Sequence, residues 1–245
     1  MEDKALLSTE EASGAEKAEL LIVIPAYNEA ENIERVVNHL TANFPQYDYV
    51  VVNDGSRDET AAICQRNRYN LLNLPVNLGL AGAFQAGLKY ADKYGYQYAV
   101  QLDGDGQHRP EYLESMIKKM EEGYDIVIGS RFVGEKKPFT MRMLGSNLIE
   151  MAIRFTTGVN IKDPTSGMRM FSKRMIREFA SGLNYGPEPD TVSYLIRQGA
   201  RVAEVPVIMD ERILGVSYLT PVNAMRYMLK MLISILLIQN FRKRR

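Results

Sequence analysis

The sequence predicts an α/β fold, a mostly parallel central sheet with helices on both faces. Short runs of consecutive apolar residues alternate along the chain with amphipathic stretches of helical period. Nearly every apolar run ends in a compact group of polar residues and glycine. The size also fits, because 245 residues with 46% hydrophobic content bury a large core within one domain.

Leu20-Leu21-Ile22-Val23-Ile24 is an uninterrupted apolar run closed by Pro25, the pattern of a strand buried on both faces. From about Asn28 to Leu40 the apolar residues Ile33, Val36, Val37 and Leu40 recur at helical spacing, so a βα unit opens the fold. Tyr49-Val50-Val51-Val52 is a second strand. Ser56 and Glu59 have the spacing of a capping box, which starts a helix carrying Ala62, Ile63 and Arg66. A short third strand runs from Asn70 to Leu74, a helix from Leu80 to Tyr94 and a fourth strand from Tyr98 to Leu102. A helix from Pro110 to Glu122 and a fifth strand from Asp125 to Ile128 follow. Beyond them a helical stretch precedes Asp163, and Met168 to Phe171 forms another short strand. Asp190 lies in the first turn of a further helix, and Val222 to Asn240 is an apolar helix at the end of the chain.

Composition narrows the classes. Lys+Arg and Asp+Glu both total 30, so no net charge argues for nucleic acid as a partner. Residues 1–19 are acidic and lack apolar periodicity, which reads as a disordered leader. Cys64 is the single cysteine, which excludes a disulfide framework within the chain and fits a reducing compartment. The first apolar run is too short for a signal sequence or a membrane span.

In sheets of this kind ligands sit beyond the carboxyl ends of the strands. After the first strand come Pro25, Ala26, Tyr27, Asn28 and Glu29, and after the second Asn53, Asp54, Gly55 and Ser56. The fourth delivers Asp103-Gly104-Asp105-Gly106-Gln107-His108 and the fifth Gly129-Ser130-Arg131. Asp103 and Asp105 are hard oxygen ligands of the kind that Mg²⁺ or Mn²⁺ takes while keeping positions open for water and phosphate. A calcium loop with Asp103, Asp105, Gln107 and Glu114 at its ligand positions fails, because His108 stands where the sharp turn needs glycine. Taken together, the strand ends carry carboxylates, an aromatic face, a metal turn and an arginine, the equipment of a nucleotide-diphosphate pocket. No G-x-G-x-x-G follows the first strand, which disfavours a dinucleotide enzyme, and no triphosphate loop is present for a nucleotidyltransferase.

The runs I-P-A-Y-N-E, V-V-N-D-G-S, L-D-G-D-G-Q-H, G-S-R-F, D-P-T-S-G-M-R and E-R-I-L-G-V-S occur in this order over residues 20–217. This pattern resembles family 2 glycosyltransferases, in the branch of dolichyl-phosphate mannose synthase and the bacterial polyprenyl-phosphate glycosyltransferases. The resemblance implies a GT-A fold and an inverting transfer from a nucleotide-diphosphate sugar to a lipid-linked acceptor. Pro25, Ala26, Tyr27, Glu29, Val52 and Asp54 would hold the nucleoside, with Gly104 beside them. Asp103, Asp105 and Gln107 would hold the metal, while Arg131 and Arg212 would contact the donor diphosphate. Asp105 and Arg212 would thereby serve the chemistry, Asp163 would be a catalytic or acceptor-site carboxylate, and Glu188 is the candidate base for a hydroxyl acceptor. Tyr218 departs from the pattern, since relatives often carry lysine there. A sugar-nucleotide-binding assembly partner without catalysis is the alternative, and the intact Asp103, Asp105 and Arg212 argue against it.

The chain thus divides into a leader, a catalytic domain over 20–217, and an amphipathic helix with a basic tail over 218–245, which ends Arg242-Lys243-Arg244-Arg245. The helix is too short to span a bilayer, and with four terminal cations it fits docking on an anionic membrane surface. The expected location is cytoplasmic, peripheral on the inner face of the membrane. A second copy of the chain or an integral membrane partner is the other expected occupant of that helix.

Overall fold

The computed structural model describes residues 19–135, 137–138, 140–181, 186, 188–210 and 221–239. The leader, Arg212 and Tyr218, and the basic tail lie outside the described residues. Seven strands form one sheet: β1 (Leu20–Ala26), β2 (Asp48–Asp54), β3 (Leu71–Leu74), β4 (Tyr98–Gln101), β5 (Ile126–Ser130), β6 (Arg169–Ser172) and β7 (Val202–Pro206). Their order is β3-β2-β1-β4-β6-β5-β7. All pairings are parallel except those of β6, which runs antiparallel to both β4 and β5.

The helices are α1 (Ile33–Asn43), α2 (Thr60–Arg66), α3 (Gly79–Lys93), α4 (Leu113–Glu121), α5 (Met141–Thr157), α6 (Lys173–Ala180), α7 (Pro189–Arg197) and α8 (Pro221–Ile233). They cover both faces of the sheet. Alternation along β1 shows how: Leu20, Ile22 and Ile24 pack in the layer of α1, α2 and α4, while Leu21 and Val23 pack in the layer of α3, α5, α6 and α7. A strand buried on both faces has no polar side to show, which is why this run is continuously apolar. Each such side chain contributes about 1.5–3 kcal/mol on burial.

Three local expectations are corrected. The first helix begins at Ile33 and not near Asn28, because Asn28 takes a left-handed conformation (φ 55°). Its backbone N–H donates to Ser56 Oγ at 3.0 Å and its Oδ1 accepts from the Arg57 N–H at 2.9 Å, so it ties the β1 and β2 exits together. That use of Ser56 also removes the capping box: α2 starts at Thr60 with Glu59 in the cap position and no side-chain cap. The last helix ends at Ile233 and continues as a π-helical turn over Ser234–Ile238. There the Ser234 hydroxyl donates to Asp190 Oδ2 on α7 at 2.6 Å.

Helix α3 lies directly on β1 through Gly87, where a Cβ would stand 2.3 Å from Val23 Cγ1. Alanine is better than glycine by about 1 kcal/mol in an open helix interior. Here the branched, conformationally stiff valine has nowhere to go. Overpacking costs about 1–3 kcal/mol, so Gly87→Ala is expected to lower stability by a net of up to about 2 kcal/mol in urea denaturation. A gain in stability would show that α3 slides freely on the sheet.

Candidate active site

The reversal of β6 decides what meets at the site. Since β6 is antiparallel to its neighbours, the 163–168 loop that leads into it lies at the edge where β4 and β5 end. The 102–108 turn leaves β4 at Gln101 and closes with the Gly106 N–H donating to the Asp103 carbonyl at 3.2 Å. Gly106 has φ 81°, and a Cβ there would meet the Arg35 guanidinium at 2.9 Å. Arg35 occupies that space to donate to the Asp105 carbonyl at 2.9 Å, so α1 braces the turn from behind.

Asp103 is held open to a cavity of about 530 Å³. Its Oδ1 accepts from Gln101 Nε2 at 3.0 Å, and its backbone N–H donates to His108 Nδ1 at 3.0 Å. An Nδ1 that accepts leaves the proton of the neutral ring on Nε2, which stands 3.6 Å from Asp103 Oδ2. Gly167 packs against both groups, and a Cβ there would lie 3.3 Å from Asp103 Oδ2. Asp105 is buried and its Oδ1 accepts from the Gln107 N–H at 3.0 Å. Gln107 Nε2 donates to the Asp210 carbonyl at 3.2 Å. Arg109 forks onto the Asp210 carboxylate, drawing it below the usual carboxylate range. This turn therefore anchors Asp210, the last described residue before the sequence reaches Arg212.

The expected nucleoside residues gather on the other side of this turn. A Cβ on Gly104 would lie 3.1 Å from the Pro25 carbonyl, 3.4 Å from Glu29 Cγ and 3.7 Å from Ala26 Cβ. Tyr27 is half-buried at the same strand exit, and Asp54 accepts from the Leu78 N–H at 2.7 Å. Val52 is wholly inside the core, so its side chain is closed to any ligand. None of these residues lines the cavity that Asp103 faces.

Arg131 and Asp163 are brought together as a forked ion pair. Nε donates to Asp163 Oδ2 at 2.8 Å, Nη2 to Oδ1 at 2.9 Å, and the Arg131 backbone N–H to Oδ2 at 3.1 Å. Asp163 is fully buried. Its oxygens are committed to fixing Arg131, which lines the cavity, and so it is placed as a clamp and not as a free base. Glu204 on β7 sets the clamp, accepting from the Lys162 and Asp163 N–H groups at 2.8 Å each.

Three residues that the sequence reading did not assign complete the wall. His108 orients Asp103, Arg169 opens β6 as a buried guanidinium, and Tyr227 on α8 donates its hydroxyl to Glu188 Oε2. Burial, reinforced by the adjacent Glu188 carboxylate, raises the Tyr227 phenol far above its ordinary pKa. Arg169 sits inside the quoted D-P-T-S-G-M-R run, yet nothing in spacing separates it from a routine strand residue. Tyr227 lies far down the chain on a helix whose docking only the fold reveals.

Mg²⁺ or Mn²⁺ needs only one or two carboxylates when phosphate and water complete its shell. The Asp103 and Asp105 carboxylates with the Gln107 amide oxygen are the hard donors such an ion takes, and Asp103 keeps 34% of its side chain exposed.

The sequence matches the model of glycosyl transferase family 2 over residues 21–179. It is 32% identical over 223 residues to polyprenol monophosphomannose synthase of Mycolicibacterium smegmatis, covering 86% of this chain and 84% of that one. It is 31% identical over 210 residues to undecaprenyl-phosphate mannosyltransferase of Micrococcus luteus, covering 81% and 86%. In fold it is similar to glucosyl-3-phosphoglycerate synthase from Mycobacterium tuberculosis, in complex with Mn²⁺, uridine diphosphate and phosphoglyceric acid. That match has a TM-score of 0.66 at 19% identity and covers 92% of this chain and 79% of the other.

Removing Arg131 alone strands a buried carboxylate, whereas removing both charges strands none. Arg131→Met is expected to cost about 3 kcal/mol, the low end for a broken buried pair because the arginine is partly exposed. Adding Asp163→Asn should recover part of that loss in a double-mutant cycle by urea denaturation. Simple additivity would show that the pair is not coupled.

Proposed function

The chain belongs to glycosyl transferase family 2 and has the GT-A fold, and on that premise we propose that it moves a hexose from a nucleotide-diphosphate sugar to a polyprenyl phosphate with inversion. The observation that carries this reading is the pairing, within one cavity, of an open Asp103 carboxylate with an Arg131 guanidinium fixed by Asp163. The names of the two mannosyl-transferring relatives point to the same acceptor class.

The acceptor phosphate oxygen attacks the anomeric carbon, the bond from that carbon to the donor diphosphate breaks, and the diphosphate departs with the electron pair. Negative charge grows on the leaving group as an oxocarbenium-like centre forms. Arg131 offers a guanidinium already oriented toward that charge, so little reorganisation is needed at the moment of reaction. Asp103, Asp105 and Gln107 would hold the Mg²⁺ or Mn²⁺, which when bound supplies Lewis-acid stabilisation of the phosphate oxygens. A phosphate monoester has its second pKa near 6 and is already anionic at neutral pH, so no general base is required. Glu188 accords with this, because its carboxylate is engaged by the Tyr227 hydroxyl. Arg212 would add a second cation to the leaving group.

The acceptor's lipid chain calls for a membrane face, and α5 and α8 supply one. Leu144, Leu148, Met151 and Phe155 form a single exposed stripe along α5, with Met151 65% and Phe155 85% exposed. Helix α8 packs beside it and exposes Met225 and Leu229, while its Met231 and the following Ile235 are buried in the core. Exposed cations Arg154, Arg226 and Lys230 flank this apolar band. Among the described residues no helix is long and apolar enough to cross a membrane. On this reading the protein lies peripherally on the anionic inner face, held by apolar contact and by its cations.

Asn at position 105 keeps the oxygen that accepts from Gln107 but removes the charge. Asp105→Asn is thus expected to abolish metal-dependent release of nucleoside diphosphate while leaving the urea midpoint unchanged. Undiminished turnover of the unaltered protein in excess chelator would overturn the metal assignment.

Met151→Glu combined with Phe155→Glu should weaken binding to vesicles of mixed phosphatidylglycerol and phosphatidylcholine by about a hundredfold or more, since each lost apolar insertion is worth about 1.5–3 kcal/mol. Donor hydrolysis in solution should be unaffected. Unchanged vesicle binding in sedimentation would place the membrane face elsewhere.

A further inference from the structure

Among the described residues Arg169 has no ion-pair partner, although Glu188, Asp163 and Asp190 act on its charge from farther away. It is 4% exposed at the start of β6, its Nη2 donates to the Pro164 carbonyl at 2.6 Å, and its Nε is buried without a partner. Among the described residues no carboxylate lies within ion-pair distance of it. The neighbouring carboxylates have other engagements. Asp163 is forked by Arg131, Glu188 is bonded by the Tyr227 hydroxyl, and Asp190 accepts from Ser234 and Gln239. A buried ion without a partner costs several kcal/mol. The carboxylates of Glu188, Asp163 and Asp190 offset part of that cost, but holding one carbonyl does not require a permanent charge, so a structural role leaves the remainder unexplained.

The guanidinium lines the same cavity as Asp103 and Arg131. On the side of α3 and α8 that cavity is walled by Leu80, Ala81 and Met228. Met228 also packs on α5, where a Cβ at Gly145 would lie 2.8 Å from it, so the apolar wall is continuous with the exposed band of α5 and α8. A lipid chain arriving over that band would bring its phosphate to Arg169. We infer that Arg169 binds the phosphate monoester of the acceptor, with the first isoprene units against Leu80, Ala81 and Met228. Arg131 then faces the donor's diphosphate and Arg169 the incoming phosphate, so that each of the two anions meets its own cation. This inference rests on the acceptor class proposed above.

The experiment is steady-state transfer by the full chain and by Arg169→Gln and Arg169→Lys, with acceptor and donor varied separately, alongside donor hydrolysis without acceptor. Loss of a charged hydrogen-bond donor is expected to raise the acceptor KM about 10- to 100-fold. Donor KM and donor hydrolysis should stay within about twofold of the unaltered protein. Lysine should recover part of the loss, because it restores the charge but not the fork. Calorimetry with the unaltered protein should show binding of geranyl phosphate and not of geraniol, and Arg169→Gln should lose it. A donor KM that rises as much as the acceptor KM would assign Arg169 to the donor diphosphate and overturn the inference. Unchanged KM values in a folded variant would make the residue purely structural. If the glutamine variant fails to fold, the lysine variant decides by the same split. Failure of the unaltered protein to transfer to any prenyl phosphate refutes the acceptor class, whereas normal transfer with an unmoved acceptor KM refutes only the role of Arg169.

Discussion

The arrangement depends on one topological constraint, the antiparallel insertion of β6 between β4 and β5. In a wholly parallel sheet the loop entering a strand lies at the opposite edge from the loops that leave. Reversing one strand puts the 163–168 loop beside the 102–108 turn, with Gly167 against Asp103 and His108 and Asp163 against Arg131. The same reversal sends Arg169 into the layer of α7 and α8, next to the wall that Glu188 and Tyr227 form. Among the described strands no other contributes both a positioned anion and a cavity-lining cation.

Charge is distributed in this site according to what each group must do. Asp163 is fully buried and fully engaged, which makes it a support. Asp103 is supported by Gln101 and His108 yet keeps a third of its side chain open, which leaves its carboxylate accessible from the cavity. The Asp105 side is braced from behind by Arg35 on α1 and from ahead by Gln107. Preorganisation of this kind places the energetic cost of ordering in folding and not in turnover.

Much of this was legible in the sequence, for identifiable reasons. Strands β1, β2, β4 and β5 are buried on both faces, so their continuous apolar runs announce them, and the polar groups at their ends mark the ligand edge. The direction of β6 was not legible, because Met168 to Phe171 reads the same in either orientation. The capping box failed because Ser56 was taken by a contact with Asn28, which is distant in sequence. Arg131 and Asp163 were each singled out, but their mutual engagement is a property of two loops meeting. Helix α8 has one face packed on the core through Met231 and one exposed through Met225 and Leu229, a division that its apolar run alone does not show.

Glu204 lies on β7, the edge strand of the sheet, and is only partly buried. Ordinarily such a position tolerates almost any polar side chain. Here both carboxylate oxygens are spent on two successive backbone amides that shape the turn holding Asp163. Aspartate is a methylene too short to reach them and glutamine offers only one accepting oxygen. A position that looks like ordinary surface thus carries the substitution limits of an interior one, and the permitted sequence variation of the edge strand narrows to a single side chain at its centre.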